Sequence, residues 1–297
     1  MDRQYKQLRY SLKLVLLDVE QNCELWKEYL RKEGILVVAI SDKLKEEISL
    51  FDIIQQFGVG VCDCLFITKE EKNRKIAQEF GVAVIGCIED GFEPPKTNVL
   101  LENLEEISVS YLNLAFCHAN GLPAVIVETK RCYIRELTKK DVPILYEILN
   151  EKEVVKFLLQ KSQEKEEIEK LMAYVSYVYS FFEYAYWGIF LKDTNELIGR
   201  AGFQEGSWPL EAGYVIKHDF WGNGLATEVL SELLVYGEEE LGCQEFFVKI
   251  AENNRASIRV AEKCGFYDTK KEEILYGEDK NQVKMKVSHY LVCNELL

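Results

Sequence analysis

Short apolar runs alternate with helical periodicities through the first third of the chain. Leu12 to Leu17 reads as a buried strand, and Leu25, Tyr29 and Leu30 then mark a helix face that Gly34 is placed to end. Ile35 to Ile40 predicts a second strand, and Ile48, Phe51 and Ile54 a second helix. Cys64 to Ile67 is a third strand, followed by a helix marked by Ile76, Ala77 and Phe80 and stopped by Gly81; Val82 to Ile88 is a fourth strand. Strands alternating with helices imply βαβ units and a parallel, doubly wound sheet. The pattern changes after Gly91-Phe-Glu-Pro-Pro95, and residues 98–117 predict a short strand plus a helix. Asn120-Gly-Leu-Pro123 is the strongest turn signal in mid-chain, so the boundary is placed there, giving domains 1–122 and 123–297.

The second part begins with a strand at Ala124 to Val127, then Arg131 to Glu136 and a helix from Lys139 to Asn150. Gln163 to Lys170 reads as the solvated face of a helix. Tyr174, Tyr177, Tyr179, Phe181, Phe182, Tyr184, Tyr186 and Trp187 follow, eight aromatics within 14 positions. Trp187 to Leu191 and Glu196 to Phe203 predict a hairpin around Asp193-Thr-Asn195, with a further strand at Glu211 to Ile216.

Composition adds limits. At about 150 residues per domain, 297 residues favour two domains. A chain that is 48% hydrophobic and 29% charged has a globular profile. The net charge of −14 argues against nucleic acid or an anionic membrane surface as the main partner. No apolar run approaches the roughly 18 residues of a membrane span, and the basic start, Arg3 to Lys13, lacks a signal peptide's uninterrupted apolar core. A cytoplasmic location is expected. The nine cysteines are odd in number and scattered, and Cys62-x-Cys64 has no second pair, so two buried thiols are expected and no metal.

The most informative stretch runs from Tyr214 to Glu228. A strand ends at Ile216, and Gly222-Asn-Gly224 opens a helix with an apolar face of Leu225, Val229, Leu230, Leu233, Leu234 and Leu241. Free N–H groups at the helix start, with glycines that admit close approach, suit a pyrophosphate. Thr227 stands where a dinucleotide fingerprint has its third glycine, so this is not that fingerprint. Farther on, Asn254 reads as an N-cap and Gly265 as the C′ residue of a short helix.

Together these residues resemble the GNAT acetyltransferase superfamily, in particular its ribosomal-protein-N-terminus-like N-acetyltransferases, over residues 123–297. Trp221-Gly-Asn-Gly-Leu-Ala226 lies where that family has its glycine loop, and Asn254-x-x-Ser257 with Gly265-Phe266 where it has its next motif. Trp221 departs from the family's Gln or Arg. The resemblance implies a mixed, mostly antiparallel sheet and an acetyl-CoA site at Ile216, Gly222, Asn223, Gly224, Leu225, Ala226 and Thr227, with Ser257 in the second motif. Asn254 would bond the pantetheine arm or help position the acceptor. The amine, a small molecule or a protein N-terminus, would attack the thioester directly. Such chemistry needs a base, oxyanion donors and an acid for the thiolate. Glu211 is the candidate base, acting through water, or else an ordinary strand carboxylate. Ala261 stands where many members carry the acid Tyr. The aromatic stretch lies where the family builds its acceptor pocket, which makes Tyr184 or Tyr186 the candidate acceptor contact.

In the first domain, Leu14-Val-Leu-Leu-Asp18-Val-Glu20 and Val37-Val-Ala-Ile-Ser41 resemble the first two motifs of haloacid-dehalogenase-like (HAD) hydrolases. The resemblance implies Asp18 as nucleophile, Glu20 for the second Asp and Ser41 as a phosphate contact. Thr68-Lys69-Glu70 follows the third strand, and a Lys there puts positive charge where Mg²⁺ needs a carboxylate. The expected domain is a Rossmann-like, HAD-type parallel sheet without catalysis; a receiver-like domain is the alternative. The expected function is acetyl-CoA-dependent N-acetyl transfer. The alternatives are a CoA-responsive binding module and a HAD-type phosphatase with an accessory GNAT domain.

Overall fold

The apolar runs of the first third do form strands, and burial on both faces explains why they are continuous. The computed structural model describes residues 12–20, 23–42, 49–88, 90–91, 93, 95–96, 99–158, 164–181, 184–276 and 283–293. The chain divides into two compact units, Met1–Ala124 and Val125–Leu297.

In the first unit, β1 (Leu14–Asp18) and β3 (Cys64–Thr68) are buried at every position. With β2 (Leu36–Ala39), β4 (Ala83–Cys87) and β5 (Leu100–Leu101) they form a five-stranded sheet in the order β2-β1-β3-β4-β5. Every pairing is parallel. This is the flavodoxin-like doubly wound order, whose ligand crevice opens at the C-terminal ends of β1 and β3.

Helices α1 (Glu24–Lys32), α2 (Leu50–Gln56), α3 (Glu71–Glu79) and α4 (Val109–Ala119) accompany it. Two faces differ from the periodicity reading. α1 buries Trp26 and Leu30, while Leu25 and Tyr29 are exposed; the Trp26 indole N–H reaches the Ile107 carbonyl at 2.9 Å. α2 buries Leu50, Ile53 and Ile54 rather than Phe51, and Ile48 lies outside the described residues. Cys62 also differs from expectation. It sits in a 3-10 turn ahead of β3, exposed, whereas Cys64 is buried.

The second unit is built on an eight-stranded sheet in the order β12-β13-β11-β10-β9-β8-β7-β6. Its strands are β6 (Val125–Glu128), β7 (Cys132–Arg135), β8 (Tyr186–Leu191), β9 (Leu197–Phe203) and β10 (Leu210–Ile216). β11 (Glu245–Ala251), β12 (Tyr267–Tyr276) and β13 (Val283–Cys293) complete it. The β10–β11 pair is parallel and the rest are antiparallel. Successive strand residues face opposite sides. On one side Ile198, Ala201, Phe203 and Ala212 pack with α8 (Leu225–Glu239) and α9 (Arg255–Lys263). On the other, Phe190, Leu197 and Val215 pack with α5 (Val142–Leu149) and α7 (Glu164–Phe181). The short α6 (Lys152–Val155) lies between those two helices in sequence.

The aromatic stretch is divided between α7 and β8, and most of its hydroxyls serve the fold. Tyr179 donates to the Tyr186 carbonyl at 2.9 Å and accepts from the Leu137 N–H at 3.1 Å. Tyr174 accepts from the Tyr186 N–H at 3.1 Å and donates to the Glu205 carboxylate. Phe182 lies outside the described residues. No described helix is long and apolar enough to cross a membrane.

Candidate functional site

A wedge between two parallel strands defines the site. β10 and β11 pair only at Leu210↔Phe246 and Glu211↔Phe247. Beyond Glu211 they part, because each is held by its outer neighbour. β10 continues with β9 as far as Ile216↔Gly199, and β11 stays with β13 along its whole length. The β10 edge from Ala212 onward therefore faces a gap with no strand partner among the described residues, and its backbone donors and acceptors are available to a ligand. A cleft of about 800 Å³ opens here, lined by Ala212 to Ile216 on one arm and Val248 to Ala251 on the other.

The mouth of the wedge leads to the start of α8. Gly222 and Gly224 both take φ +76°, a left-handed conformation that glycine adopts without a Cβ clash. Gly224 is the N-cap of α8. A Cβ on Gly222 would meet nothing within 4 Å, so the space over the loop is open. The first turn of α8 carries N–H groups without intrahelical partners and the positive end of the helix dipole. The Trp221 indole N–H donates to the Ile216 carbonyl at 2.6 Å, tying the loop to the end of β10.

A second tie comes from the β6–β7 turn. Glu228, in the first turn of α8, accepts from the Thr129 hydroxyl at 2.6 Å and from the Arg131 N–H at 2.7 Å. Arg131 Nε returns to Glu228 at 2.7 Å, and its Nη1 donates to the Asn223 carbonyl at 2.8 Å. Burial acts to raise the Glu228 carboxyl, but the Thr129 and Arg131 hydrogen bonds outweigh it and hold the group below the usual carboxylate range. Arg131 also brings a positive charge beside the loop, which an acidic chain needs if an anion is to sit there.

Ile216, Gly222, Gly224, Leu225, Ala226 and Thr227 all line the cleft. So do Asn254, Ser257, Glu211 and Tyr186. The Asn254 Oδ1 accepts from the Ser257 N–H at 3.1 Å and caps α9. Two residues singled out from the sequence do not line it. Asn223 has its carbonyl on Arg131 and its amide on the Phe220 carbonyl at 3.3 Å. Tyr184 donates to the Ser207 carbonyl at 2.9 Å and packs edge-on against Phe203.

Three of the lining residues that escaped the sequence reading bear on the chemistry. Lys249 on β11 forms a 3.4 Å ion pair with Glu211, where the strands part. Tyr214 turns its buried hydroxyl toward α9, where no hydrogen bond closes on it among the described residues. Burial pushes this phenol up to about 12, with Ser257 pulling the other way. Arg200 projects from β9 onto the α5–α7 side, beside Tyr186. A lone cation inside Leu-Ile-Gly-Arg-Ala-Gly-Phe203 was the available signal.

Among the described residues no group of three or more His, Cys, Asp or Glu side chains could hold a metal. In the first unit, Asp18 is 3% exposed, and its Oδ2 accepts from Thr68 and from Asn73, both at 2.7 Å. Lys69, also 3% exposed, pairs with Glu20 at 2.9 Å.

Comparison with known proteins bears on the second unit. Residues 131–267 match the acetyltransferase (GNAT) domain family. The uncharacterized N-acetyltransferase YoaA of Bacillus subtilis (strain 168) is 31% identical over 145 residues, 48% of this chain and 82% of that protein. The chain belongs to the GNAT N-acetyltransferase family. The uncharacterized N-acetyltransferase p20 of Bacillus licheniformis is 24% identical over 156 residues, 51% of this chain and 86% of that protein. A solved GNAT-family acetyltransferase from Bacillus anthracis aligns at 19% identity and a TM-score of 0.49, over 57% of this chain and 98% of that one. The GNAT match places the wedge and the glycine loop inside the family's own region of the chain.

Proposed function

We propose that residues 123–297 transfer an acetyl group from acetyl-CoA to a primary amine, by direct attack of the amine on the thioester. The observation that carries this reading is the continuity of the unpaired β10 edge with the open glycine loop. The edge offers peptide groups to an extended, amide-containing arm, and the loop offers N–H groups to a pyrophosphate. Arg259 and Lys263 of α9, both exposed, line the same cleft and supply further positive charge for a phosphate.

In the reaction the amine nitrogen forms a C–N bond to the acetyl carbon as the C–S bond breaks. Glu211 lies where the two strands part, and in this reading it takes the amine proton through a water molecule. Its 3.4 Å contact with Lys249 is too long for a tight hydrogen bond and leaves the carboxylate able to exchange partners. The leaving thiolate needs little help, since a thiol has a pKa near 8.5. Tyr214, held protonated by burial on the α9 side, is the hydroxyl we assign to it. Ala261 is buried and offers no hydroxyl of its own.

The test is release of free CoA thiol across a panel of amines, with mass detection of the acetylated product. Glu211→Gln should lower kcat by about 10²–10⁴-fold, the usual contribution of a general base, with the KM for acetyl-CoA unchanged. Tight acetyl-CoA binding without transfer to any amine would instead support a CoA-responsive module, which Ala261 favours.

We read residues 1–122 as a HAD-like domain without hydrolytic activity. Asp18 is closed off by Thr68 and Asn73, and the Lys69 ammonium is paired with Glu20, so the other acid of the first motif is already neutralised where a divalent cation would need it. Mg²⁺-dependent turnover of p-nitrophenyl phosphate that disappears in Asp18→Asn would overturn that assignment.

A further inference from the structure

Among the described residues of this acidic protein, Arg200 is a cation without a counter-ion. It sits on β9 between Gly199 and Ala201, opposite Val215 of β10 and Gly188 of β8. Val215 packs into the α5–α7 cluster, whereas Ala201 packs toward α8, so the Arg200 side chain lies on the sheet face away from the glycine loop. Its guanidinium carbon lies 5.0 Å from the centroid of the Tyr186 ring. Its Nε is buried and has no hydrogen-bond partner, and no carboxylate pairs with the group among the described residues. The contrast with Arg135 is instructive. That guanidinium, buried against the Phe190 ring, is matched by both oxygens of Asp141 at 3.0 and 3.1 Å.

Arg200 and Glu211 line one cleft, and both act electrostatically on the Tyr186 phenol between them, Arg200 to lower its pKa and Glu211 to raise it. The phenol is itself fixed. It lies across β9 to Gly213 of β10, where an added Cβ would come within 2.5 Å of its hydroxyl. The acceptor side of the cleft therefore carries a carboxylate on one side of a fixed aromatic ring and an unmatched, ring-stacked guanidinium on the other. A guanidinium edge matches a carboxylate in planar, bidentate geometry, and a buried donor left unpaired is costly.

We propose that the acceptor is an amine that carries its own carboxylate, with the carboxylate seated on Arg200 and the amine directed to Glu211. A free amino acid has this pairing of charges, and so does the start of a peptide with an acidic side chain. The proposal rests on the acetyl-transfer reading above and names the acceptor class for that site.

The test measures acetylation of the L-amino acids, of their α-amides, of the parent amines lacking the carboxylate, and of tripeptides with Asp or Ala at the second position. Each is assayed with the full-length protein and with Arg200→Gln and Arg200→Lys. Carboxylate-bearing acceptors should exceed their amides in kcat/KM by about 10–100-fold, the range expected for a charge-assisted hydrogen bond. Arg200→Gln should remove that preference by raising the KM of the carboxylate-bearing acceptors far more than the KM of their amides. Arg200→Lys should restore part of the preference. Free amino acids favoured over both tripeptides would assign the carboxylate to the α-position; the Asp tripeptide favoured over its Ala counterpart would assign it to a side chain. Calorimetric binding of the same compounds to the CoA-loaded protein gives a second readout that does not depend on turnover. Acetylation of amides and acids at equal rates, with no effect of Arg200→Gln, would overturn the proposal and leave the transferase reading standing. Absence of transfer to every amine would count against the transferase reading. In that case, equal binding of acids and amides would overturn the present inference too.

Discussion

Replacing Gly224 by Ala puts a Cβ on a residue held at φ +76° as the N-cap of α8. The left-handed conformation costs a non-glycine residue roughly 1–2 kcal/mol. Crowding adds little, since the new Cβ would lie 3.7 Å from Arg131 Nη2, an ordinary contact. The strain has two places to appear. If the loop keeps its shape, the unliganded protein loses about 1–2 kcal/mol of stability, or roughly 2–8 °C in Tm at about 2–4 °C per kcal/mol for a unit of this size. If the loop relaxes, Tm holds and CoA must restore the strained shape, weakening its Kd by about 5–30-fold at 1.4 kcal/mol per decade. The two losses together should total about 1–2 kcal/mol. Scanning calorimetry gives the first and titration calorimetry with CoA the second. Gly242→Ala is the control, because Gly242 has φ +67°, open space around it and a position after the far end of α8. It should lose stability alone. Unchanged Tm and unchanged CoA affinity in Gly224→Ala would show that the loop carries no such strain, and a weaker CoA affinity in Gly242→Ala would show that the effect is not specific to the loop.

Three further outcomes follow from the second unit. Asp141→Asn leaves Arg135 buried without its counter-charge, so it should destabilise the unit by about 3–5 kcal/mol, read as a lower denaturation midpoint. Glu228 has a lowered folded-state pKa, so its stabilising effect is present above the unfolded value near 4.3 and is lost as pH falls through the folded one. The protein should therefore lose stability between about pH 4.3 and lower values, and Glu228→Gln should show a flatter Tm profile there. Tyr186 and Tyr214 are both pushed up to about 12 by burial, so their contribution is complete below the free-tyrosine value near 10 and fades as pH rises toward about 12. Burial raises Tyr133, Tyr174 and Tyr179 as well, so ultraviolet titration should show several phenols fewer ionising near pH 10–11 than in the unfolded chain, and Tyr214→Phe should shrink that deficit by one.

What the sequence made legible depended on how each feature is encoded. The buried parallel strands were readable because burial on both faces demands unbroken apolar runs, and Leu14–Asp18 and Cys64–Thr68 fall within a residue or two of expectation. Helix faces were less secure. Cys23, Trp26 and Leu30 form one helical stripe and Leu25 and Tyr29 another, and the choice between them is made by tertiary packing, which includes the Trp26 bond to Ile107. The glycine loop was legible because left-handed positions select glycine and so leave a mark in the sequence. The parting of β10 and β11 left none, since it depends on where β9 and β13 stop holding each arm. Tyr214, Lys249 and Arg200 come together only through that sheet, from three strands with no common spacing. Tyr184 and Tyr186 looked equivalent in the sequence, but the bend before β8 sends Tyr184 to the Ser207 carbonyl and leaves Tyr186 in the cleft.

In the proposed function acetyl-CoA lies along the open edge of β10 with its pyrophosphate over the glycine loop. Hydrogen exchange with and without CoA reads this residue by residue, since a bound ligand should slow exchange of the amides it covers. Protection should concentrate at 212–216 and 222–227, with exchange at 14–18 and 64–68 unchanged. Protection in the first unit, or none in either segment of the second, would contradict it.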